Sequence, residues 1–472
     1  MILIVFLIFV IFWGSLLFGI IPSTDKELIV MLSLNLITIL VFFSSKETSF
    51  LYKKNYFKHS NLLILSFLIV FFQIAVEYLD GNIDLENDFF IPRPDDFFKT
   101  VHILSISFVT FLLGYLISKN IKKRKTKSVR PKNTLFLSLG SVLSFILYVF
   151  VTDKSYFMGS YAETKFTPLM VYSSVLYSSF TVAYLVQKSV NIRLSNSCYS
   201  LKDFIFKIDK SIIVTITFYL GLVLMSGDRG PFIFMSMVCL VVFVYATRVK
   251  LKLKVIAPMI TFAIVLIMFV GIARAPFLIG ASFSEKLDYV LEVKGRIPFI
   301  SPATMELAGS FRTANVVVAE ISNNAEYFYG SFFVRTILSI IPGLSGLLTE
   351  FFYSDIPAYM NTPASYTTYL IQGTSPRYGD GASAITDIYL DFGVGGCIFF
   401  FFLFGGYIRR MEQAVFGEKS GASIFLLVVS VCYFAMAIRT GRASIFEPFI
   451  ISVRILIFIY LNNILVKGLR KG

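Results

Sequence analysis

The chain has 472 residues, of which 56% are hydrophobic and only 15% are charged, and its formal net charge at pH 7 is +14. A soluble domain of ordinary composition carries about 25% charged residues, so this composition excludes a soluble globular enzyme, a disordered protein and a secreted disulfide scaffold. Apolar runs long enough to cross a hydrocarbon core of about 30 Å recur from end to end. They lack strand-like alternation, which also excludes an outer-membrane barrel. We therefore predict an all-α polytopic membrane protein.

About twelve transmembrane helices are predicted. The connecting segments on one side hold 27 Lys and Arg, and those on the other side hold 15. Because positive residues concentrate on the cytoplasmic side, both termini are predicted to be cytoplasmic. The first run lacks a basic start and is predicted to be a retained helix rather than a cleaved signal peptide. The predicted spans are about 2–21, 27–44, 61–79, 101–118, 134–152, 168–187, 211–226, 232–247, 255–273, 386–408, 421–438 and 447–466.

The longest connection, residues 275–383, lies on the predicted external side and contains no convincing span. Connections of this length are usually functional. Its apolar stretches favour interfacial or re-entrant helices, so we expect a large, partly helical external cap before the last three spans. We find no internal repeat and no low-complexity linker. Residues 1–472 are therefore predicted to form a single integral membrane domain that includes this cap.

The kind of basic residue differs between the two sides. The cytoplasmic segments hold 20 Lys and 7 Arg, whereas the external segments hold 6 Lys and 9 Arg. A topology signal needs only positive charge, but Arg adds a planar fork that binds phosphate or carboxylate and stays protonated. The external Arg excess therefore predicts an anionic ligand there, with scattered surface ion pairs as the alternative. The external arginines are Arg93, Arg229, Arg274, Arg296, Arg312, Arg335, Arg377, Arg439 and Arg442.

Four of these arginines lie in three short external turns. The turn at 226–231 holds Arg229, the turn at 439–442 begins and ends with Arg, and the turn at 375–381 holds Arg377. Glycines in the last turn let backbone amides approach an anion closely, and the helix that follows adds its positive N-terminal end. Each turn alone is a weak motif, because Arg also anchors helices at membrane edges.

Candidates for acid–base chemistry are fewer. Asp380 lies three residues after Arg377, and a neighbouring guanidinium keeps a carboxylate ionised. That weakens Asp380 as a general base without excluding it. For His102, at the outer edge of the fourth span, a structural role is favoured. Further carboxylates are Glu306, Glu320, Asp387 and Asp391, the last at a depth where carboxylates are usually functional or paired.

The sequence indicates no metal or cofactor. Cys and His show no metal-ligand spacing, and neither a Walker A loop nor a dinucleotide fingerprint is present. The acidic stretch 84–88 has the spacing of a metal–diphosphate site, but a solvated loop is the favoured interpretation. The basic charge follows the membrane topology, so no nucleic acid is expected as a partner.

Several segments together resemble a known family, the bacterial oligosaccharide repeat-unit polymerases of the O-antigen and capsule pathways (the Wzy type). The architecture is similar in its many spans, its one large external loop before the last spans and its arginines at external turns. The segments that carry the resemblance are Gly227-Asp228-Arg229, Val334-Arg335 with Ile341-Pro342, the run 383–393 ending in Phe392-Gly393, and Arg439 with Arg442.

The resemblance implies an inverting, metal-independent glycosyltransferase of the GT-C class in the bacterial inner membrane. Its donor would be a growing glycan on undecaprenyl diphosphate, and its acceptor a sugar hydroxyl of a new lipid-linked repeat unit. The lipid bilayer, a flippase and a chain-length regulator are the implied partners. Aromatic residues of the cap (Tyr366, Tyr369 and Tyr378) could stack on sugars, with an interfacial aromatic belt as the equal alternative.

Site roles follow from this reaction. Arginines would neutralise the leaving lipid diphosphate, and a carboxylate would activate the acceptor hydroxyl. The predicted catalytic residues are Asp380, Arg229 and Arg377. The predicted residues that bind the diphosphate and the glycan are Arg274, Arg312, Arg335, Arg439, Arg442 and Tyr378.

Two other functions stay open. An O-antigen ligase, or another polyprenyl-phosphate-dependent glycosyltransferase, is the first, and the lack of His in the large loop counts against a ligase. A lipid-linked oligosaccharide flippase is the second. Transporters of that kind usually show two pseudo-symmetric halves and short loops, whereas the loop at 275–383 has no counterpart earlier in the chain. A non-catalytic membrane scaffold is the remaining alternative.

Overall fold

The computed structural model of the chain describes most of its length. Within the described residues every regular element is a helix and no β-strand occurs, so the prediction of an all-α fold is confirmed. The described residues are 2–45, 57–86, 88–118, 132–157, 167–195, 200–247, 254–259, 304–324, 326–340, 357–376, 379–416, 424–436 and 445–468, with the single positions 249, 251, 261 and 285.

Long apolar helices dominate the described residues, interrupted by short helices at the connections. In chain order they are α1 (Ile2–Leu17), α2 (Asp25–Ser44), α3 (His59–Leu79, with a π-helical turn at Leu68–Phe72), α4 (Phe97–Ile117), α5 (Leu135–Val151), α6 (Lys154–Phe157), α7 (Pro168–Ser195), α8 (Leu201–Lys207), α9 (Lys210–Ser226), α10 (Arg229–Thr247), α11 (Met305–Ala308), α12 (Phe311–Asn324), α13 (Ser331–Leu338), α14 (Pro363–Gln372), α15 (Ala384–Phe416), α16 (Ile424–Met436) and α17 (Glu447–Gly468).

Among the described residues, seven helices are long and apolar enough to cross a membrane: α2, α3, α4, α7, α10, α15 and α17. The consecutive helices α8 and α9 satisfy the same condition together but are bent by 109°. Three shorter apolar helices, α1, α5 and α16, lie where further spans are predicted. Together these elements account for eleven of the twelve predicted spans, and most of the other one, 255–273, lies outside the described residues. The fold is that of a polytopic membrane protein.

The chain divides into two compact units, each assembled from separate stretches of sequence. The first unit consists of Met1–Lys122, Pro298–Gln413 and Ala437–Glu447. The second consists of Lys123–Ile297, Ala414–Met436 and Pro448–Gly472. A single membrane domain with an external cap at 275–383 stays a prediction.

Helix α4 forms the core of the first unit, and nearly all of its side chains are buried. Glycines let its backbone touch that of α15. A Cβ atom on Gly114 would lie 2.0 Å from the carbonyl oxygen of Phe402, and one on Gly405 would lie 1.9 Å from that of Phe111. Small residues at such crossings allow the close backbone approach on which helix association in membranes depends. The two glycines therefore fix where α4 and α15 cross.

Helix α15 is broken in its third turn, at Gly393, where φ is +60° and ψ is −157°. The break leaves the carbonyl oxygen of Leu390 available to a partner outside the helix, and it accepts a hydrogen bond from the amide of Phe328 at 2.9 Å. The ring of Tyr327 fills the space beside Gly393, where an added Cβ atom would lie 2.7 Å from it. Non-helical backbone inside a membrane protein has to be paired by neighbouring protein, and the segment before α13 supplies that pairing.

In the second unit, α5 packs along α7. Ser141 and Thr181 share a buried hydrogen bond of 2.7 Å across this contact. Towards the other end of α5, the rings of Tyr148, Tyr177 and Tyr219 form a buried cluster. The rings of Tyr177 and Tyr219 lie 4.7 Å apart, so aromatic packing joins α5, α7 and α9.

Candidate functional site in the first unit

Two antiparallel helices, α12 and α14, organise the described part of the predicted cap. α14 begins with a capping box between Thr362 and Ser365 and with a proline in its first turn, the residue types that favour a helix start. It ends at Gly373, whose φ of +77° favours glycine. Arg312 at the start of α12 and Gln372 at the end of α14 contact the same residue, and Glu320 towards the end of α12 contacts Tyr366 near the start of α14. These two contacts establish the antiparallel order.

That shared partner is Asp380, the predicted catalytic carboxylate. One oxygen lies 3.5 Å from the guanidinium of Arg312, and the other accepts a hydrogen bond of 2.5 Å from the side-chain amide of Gln372. The backbone amide of Asp380 donates to the hydroxyl of Thr368 at 3.0 Å. Only 7% of the Asp380 side chain and 11% of the Arg312 side chain are exposed to solvent. The carboxylate is therefore held in one place by both helices.

Arg312 also packs on an aromatic ring. Its guanidinium lies 4.0 Å from the ring centroid of Phe89, a distance at which a cation is attracted to the face of the ring. Near it on α12, the side chain of Asn315 accepts a hydrogen bond from the amide of Arg93 at 2.8 Å and donates to its carbonyl at 2.9 Å. These contacts fix the start of α12 against the segment that leads into α4.

A cavity of about 690 Å³ lies at the C-terminal end of α14. The rings of Tyr359 and Tyr369 are stacked beside it, with centroids 3.8 Å apart and planes at 11°. None of the described residues that line it is charged. They share small or hydroxyl-bearing side chains apart from the two tyrosines, and they are Tyr359, Ala364, Ser365, Thr368, Tyr369, Gly373, Thr374, Pro376, Gly379 and Gly381. In the sequence, Asp380 lies between the last two of these residues, Gly379 and Gly381.

Tyr366 points into protein rather than into the cavity. It is 6% exposed, and its ring packs edge-on against Phe328 at 5.0 Å. Burial, together with the nearby carboxylate of Glu320, raises the pKa of Tyr366 to about 12. Its hydroxyl is therefore protonated at neutral pH and donates a long hydrogen bond of 3.5 Å to an oxygen of Glu320. Tyr366 contributes to packing between α12 and α14.

Arg335, predicted to bind substrate, supports the wall of the cavity. Its guanidinium donates to the carbonyl oxygen of Met360, the residue that follows Tyr359. It also lies 5.6 Å from the ring centroid of Phe332 on its own helix. Arg335 thus joins α13 to the turn that carries one of the two stacked tyrosines.

Asp391 is paired with backbone. Its two oxygens accept hydrogen bonds from the amides of Phe332 at 3.2 Å and Phe333 at 2.7 Å, and these amides belong to the first turn of α13. A carboxylate is favourable at this position because it satisfies amides that have no partner within the helix and because it faces the positive end of the helix dipole. Asp391 therefore anchors α13 on α15.

The turn that contains Arg229 lies in the second unit. Gly227 ends α9 with a φ of +80°, and Asp228 then precedes α10, which starts at Arg229. One oxygen of Asp228 accepts a hydrogen bond from the amide of Gly230 at 3.2 Å, and the other accepts from the hydroxyl of Tyr156 at 3.2 Å. Asp228 caps α10 and fixes the backbone of Arg229, whose side chain lies outside the described residues.

The comparison with protein families decides what kind of protein carries this arrangement. The profile of the family described as O-antigen polysaccharide polymerase Wzy matches residues 1–468. The chain belongs to this Wzy family. No curated protein and no solved structure matches it significantly. As a Wzy-family protein it is a membrane glycosyltransferase-like polymerase of polysaccharide biosynthesis, which joins repeat units and acts on lipid-linked oligosaccharides.

The structure of this Wzy-family chain brings together some of the residues predicted for the site. Arg312 and Asp380 pair directly, and Arg335 donates to the carbonyl oxygen of Met360, which follows the cavity-lining Tyr359. Whether the arginines converge on one ligand stays a prediction, because several of them lie outside the described residues. These are Arg274, Arg377, Arg439 and Arg442, with Tyr378.

Sequence reasoning missed three contributors to this Wzy site. It did not single out Gln372 or Thr368, which hold Asp380, or Tyr359, which stacks on Tyr369. An amide or a hydroxyl in an external loop gives no signal by itself. The capping box and Pro363 could have located α14, and with it the register of Thr368 and Gln372.

Proposed function

We propose that this chain transfers the growing glycan from undecaprenyl diphosphate to a new lipid-linked repeat unit at the outer face of the bacterial inner membrane. The single observation that carries the proposal is the family match over residues 1–468. The orientation rests on charge, because the segments assigned to the cytoplasm hold 27 of the 43 Lys and Arg residues. Both termini are then cytoplasmic, and the cap faces outward.

In the proposed reaction, the acceptor hydroxyl oxygen attacks the anomeric carbon of the donor glycan. The bond from that carbon to the diphosphate oxygen breaks, and the hydroxyl proton passes to a base. Undecaprenyl diphosphate leaves, and the lengthened glycan stays on the lipid of the acceptor. A single displacement of this kind inverts the configuration at the anomeric carbon.

External arginines stabilise the leaving diphosphate in this account. Fixed guanidinium groups in a water-poor site neutralise charge as it develops on a leaving group, so the step needs no metal ion. Arg229 and Arg377 are proposed to act on the reacting diphosphate. The wider binding set is Arg274, Arg335, Arg439 and Arg442, with Tyr378 on the glycan.

Asp380 is the proposed base. It lies in sequence between Gly379 and Gly381, which line the cavity, and Arg312 and Gln372 hold its carboxylate in a fixed orientation. Arg312 therefore serves the reaction through Asp380, and each carboxylate oxygen has a second lone pair with which to meet the acceptor hydroxyl.

The account also implies partners in the same membrane. Repeat units have to reach the outer face before they are joined, so a flippase is expected to deliver them. A chain-length regulator is expected to set how many units are joined.

The experiment that tests this function is a gel of surface glycan from a strain that lacks the protein, complemented with the wild-type chain or with an empty vector. The polymerase predicts a ladder with the wild-type chain and a single repeat unit without it. Loss of even the single unit would indicate a flippase instead. Long polymer retained on its lipid carrier would indicate a ligase.

A further inference from the structure

The short helix α8 of the second unit turns away from the span that follows it. The two helices are bent by 109° relative to each other, and only Ile208 and Asp209 lie between them. Because α9 coincides with a predicted span, this angle places α8 close to the plane of the membrane. Amphipathic helices that lie in this plane occupy the boundary between lipid headgroups and acyl chains.

Contacts with two neighbouring helices fix α8 in this orientation. Phe204 is buried, and its ring packs on that of Phe243 on α10, with centroids 5.6 Å apart. At the bend, the backbone amide of Asp209 donates to the hydroxyl of Tyr184 at 2.9 Å, and the carboxylate forms a salt bridge of 3.0 Å with Lys188. Tyr184 and Lys188 belong to α7, so the bend is part of the packed structure of the second unit.

The other side chains of α8 include large apolar groups that protein does not cover. Leu201 is 55% exposed, Ile205 is 45% exposed and Phe206 is 76% exposed. Exposed apolar residues continue on α9 at Val214 and Phe218, one helical turn apart. Such side chains are unfavourable in water, and a predicted span supplies acyl chains as the alternative environment. The exposed side of α8 is therefore matched to the acyl-chain boundary of the membrane.

Exposed lysines accompany these apolar side chains. Lys202 on α8 and Lys210 at the start of α9 are exposed, and within the described part of the chain neither forms a salt bridge. Residues 201–210 hold three Lys and two Asp. One of these Asp is paired with Lys188, so basic charge is in excess. A lysine can lay its methylene groups along apolar surface and keep its ammonium group at the level of the headgroups.

We propose that α8 is an interfacial anchor that binds anionic phospholipid. Leu201, Ile205 and Phe206 enter the acyl-chain boundary, and the ammonium groups of Lys202 and Lys210 bind the phosphates of the headgroups. The lipid carries a net negative charge, as phosphatidylglycerol does, because a zwitterionic headgroup already holds a cation beside its phosphate. The inference is independent of the proposed reaction, since none of these residues belongs to the candidate site.

The single tryptophan of the chain makes a local optical test possible. Trp13→Phe removes it, and Phe206→Trp then places the only tryptophan on the exposed side of α8. The full-length variant is reconstituted into vesicles of equal parts phosphatidylglycerol and phosphatidylcholine, in which one lipid or the other carries brominated acyl chains. Bromine quenches tryptophan fluorescence only at short range, so the two kinds of vesicle report which lipid lies beside α8.

The proposal predicts stronger quenching by brominated phosphatidylglycerol. The attraction of a single lysine to an anionic surface corresponds to about a fivefold change in binding, so the preference should be about fivefold or more. In the pair Lys202→Gln and Lys210→Gln, the two lipids should quench almost equally.

A matched control removes the same charge elsewhere. The pair is Lys26→Gln in the first unit and Lys154→Gln in the second, both at exposed lysines. Lys154 lies near the opposite end of α9, where Tyr156 contacts Asp228. This pair should keep the preference for phosphatidylglycerol.

Three results would overturn the proposal. Equal quenching by both lipids before any lysine is changed would show that α8 does not select an anionic headgroup. Weak quenching by both lipids would place α8 outside the membrane, and a dimer in size-exclusion chromatography would then indicate that a second copy covers it. An equal loss of preference in both lysine pairs would attribute the effect to total charge. If Phe206→Trp lowers the folded yield, Ile205→Trp takes its place with the same expected results.

Discussion

The carboxylate of Asp380, in the segment between α14 and α15, lies 3.5 Å from the guanidinium of Arg312 on α12, and both side chains are almost buried. A buried ion pair of this kind makes each partner depend on the other, since either charge alone would be left without compensation. The pair therefore links the predicted base of the reaction to the packing of α12 on α14.

Replacing Asp380 by Asn should abolish polymerisation while the protein still folds. The amide keeps the size of the side chain and can still accept the hydrogen bond from Gln372, but it cannot accept a proton. General-base catalysis contributes about 10² to 10⁴-fold to such steps, so the initial rate of glycan extension should fall by at least about 100-fold. An Asp380→Asn variant with a near wild-type rate would show that Asp380 only positions the site.

A single and a double variant of the Arg312–Asp380 ion pair distinguish its contribution to stability from its role in activity. Arg312→Met alone leaves a buried carboxylate without its main partner, and the cost is about 3 kcal/mol or more, seen as a lower melting temperature in detergent. Arg312→Met combined with Asp380→Leu should regain most of that stability, because the uncompensated charge is gone. The double variant should stay inactive. Restored activity in the double variant would exclude both residues from the chemistry.

Gly393→Ala should disrupt the break in α15. Alanine is strained at a φ of +60°, and its Cβ atom would lie 2.7 Å from the ring of Tyr327. A cost of roughly 1 to 3 kcal/mol is expected from the backbone alone, with further loss from the displaced ring. Gly395→Ala is the matched control on the same helix, because its Cβ atom would meet nothing within 4 Å. Equal melting temperatures for the two variants would contradict this account of the break.

Two adjacent arginines near the C-terminal end of α15 should behave differently. Arg409 is 3% exposed and donates to the carbonyl oxygens of Tyr115 and Leu116, both at 3.0 Å, which end α4. Arg410 is exposed. Arg409→Ala should cost about 1 to 3 kcal/mol, because it leaves helix-terminal carbonyls without that donor, whereas Arg410→Ala should be nearly neutral. The comparison is made by thermal unfolding of the purified variants.

Arg377→Lys tests whether the external arginines act through shape or through charge alone. Lysine keeps the positive charge but lacks the planar fork that binds phosphate oxygens in pairs. We expect Arg377→Lys and Arg377→Ala both to shorten the glycan ladder at normal protein levels. If Arg377→Lys gives full ladders and Arg377→Ala gives none, the positive charge of Arg377 is sufficient for its role.

Much of the architecture could be predicted from the sequence because membrane spans obey a simple physical rule. Long apolar runs located the helices, and eleven of the helices α1 to α17 coincide with predicted spans, α9 among them. Charge counts could not distinguish Arg409 from Arg410, since both serve equally as topology signals. Only the packing of α15 on α4 makes one of them structural.

The contacts within the site could not be predicted from the sequence, because they join residues that are far apart along the chain. The sequence predicts that Asp380 lies beside Arg377, which is outside the described residues. It does not predict the pairing of Asp380 with Arg312, which depends on the antiparallel contact of α12 and α14. Asp391 was expected to be functional or paired, and its partners are amides of a distant helix. Phe392-Gly393 was noted as a family-like pair, yet a glycine in an apolar run does not reveal that the helix breaks there.

The most direct test of the central claim is glycan extension by the purified chain, supplied only with lipid-linked repeat units extracted from a strain that lacks it. Reactions run with and without EDTA, and the products are separated by length. The account predicts a ladder of lipid-linked polymer and release of undecaprenyl diphosphate in both reactions, both lost in Asp380→Asn. A wild-type chain that binds the units but yields no ladder, or whose ladder disappears with EDTA, would contradict it.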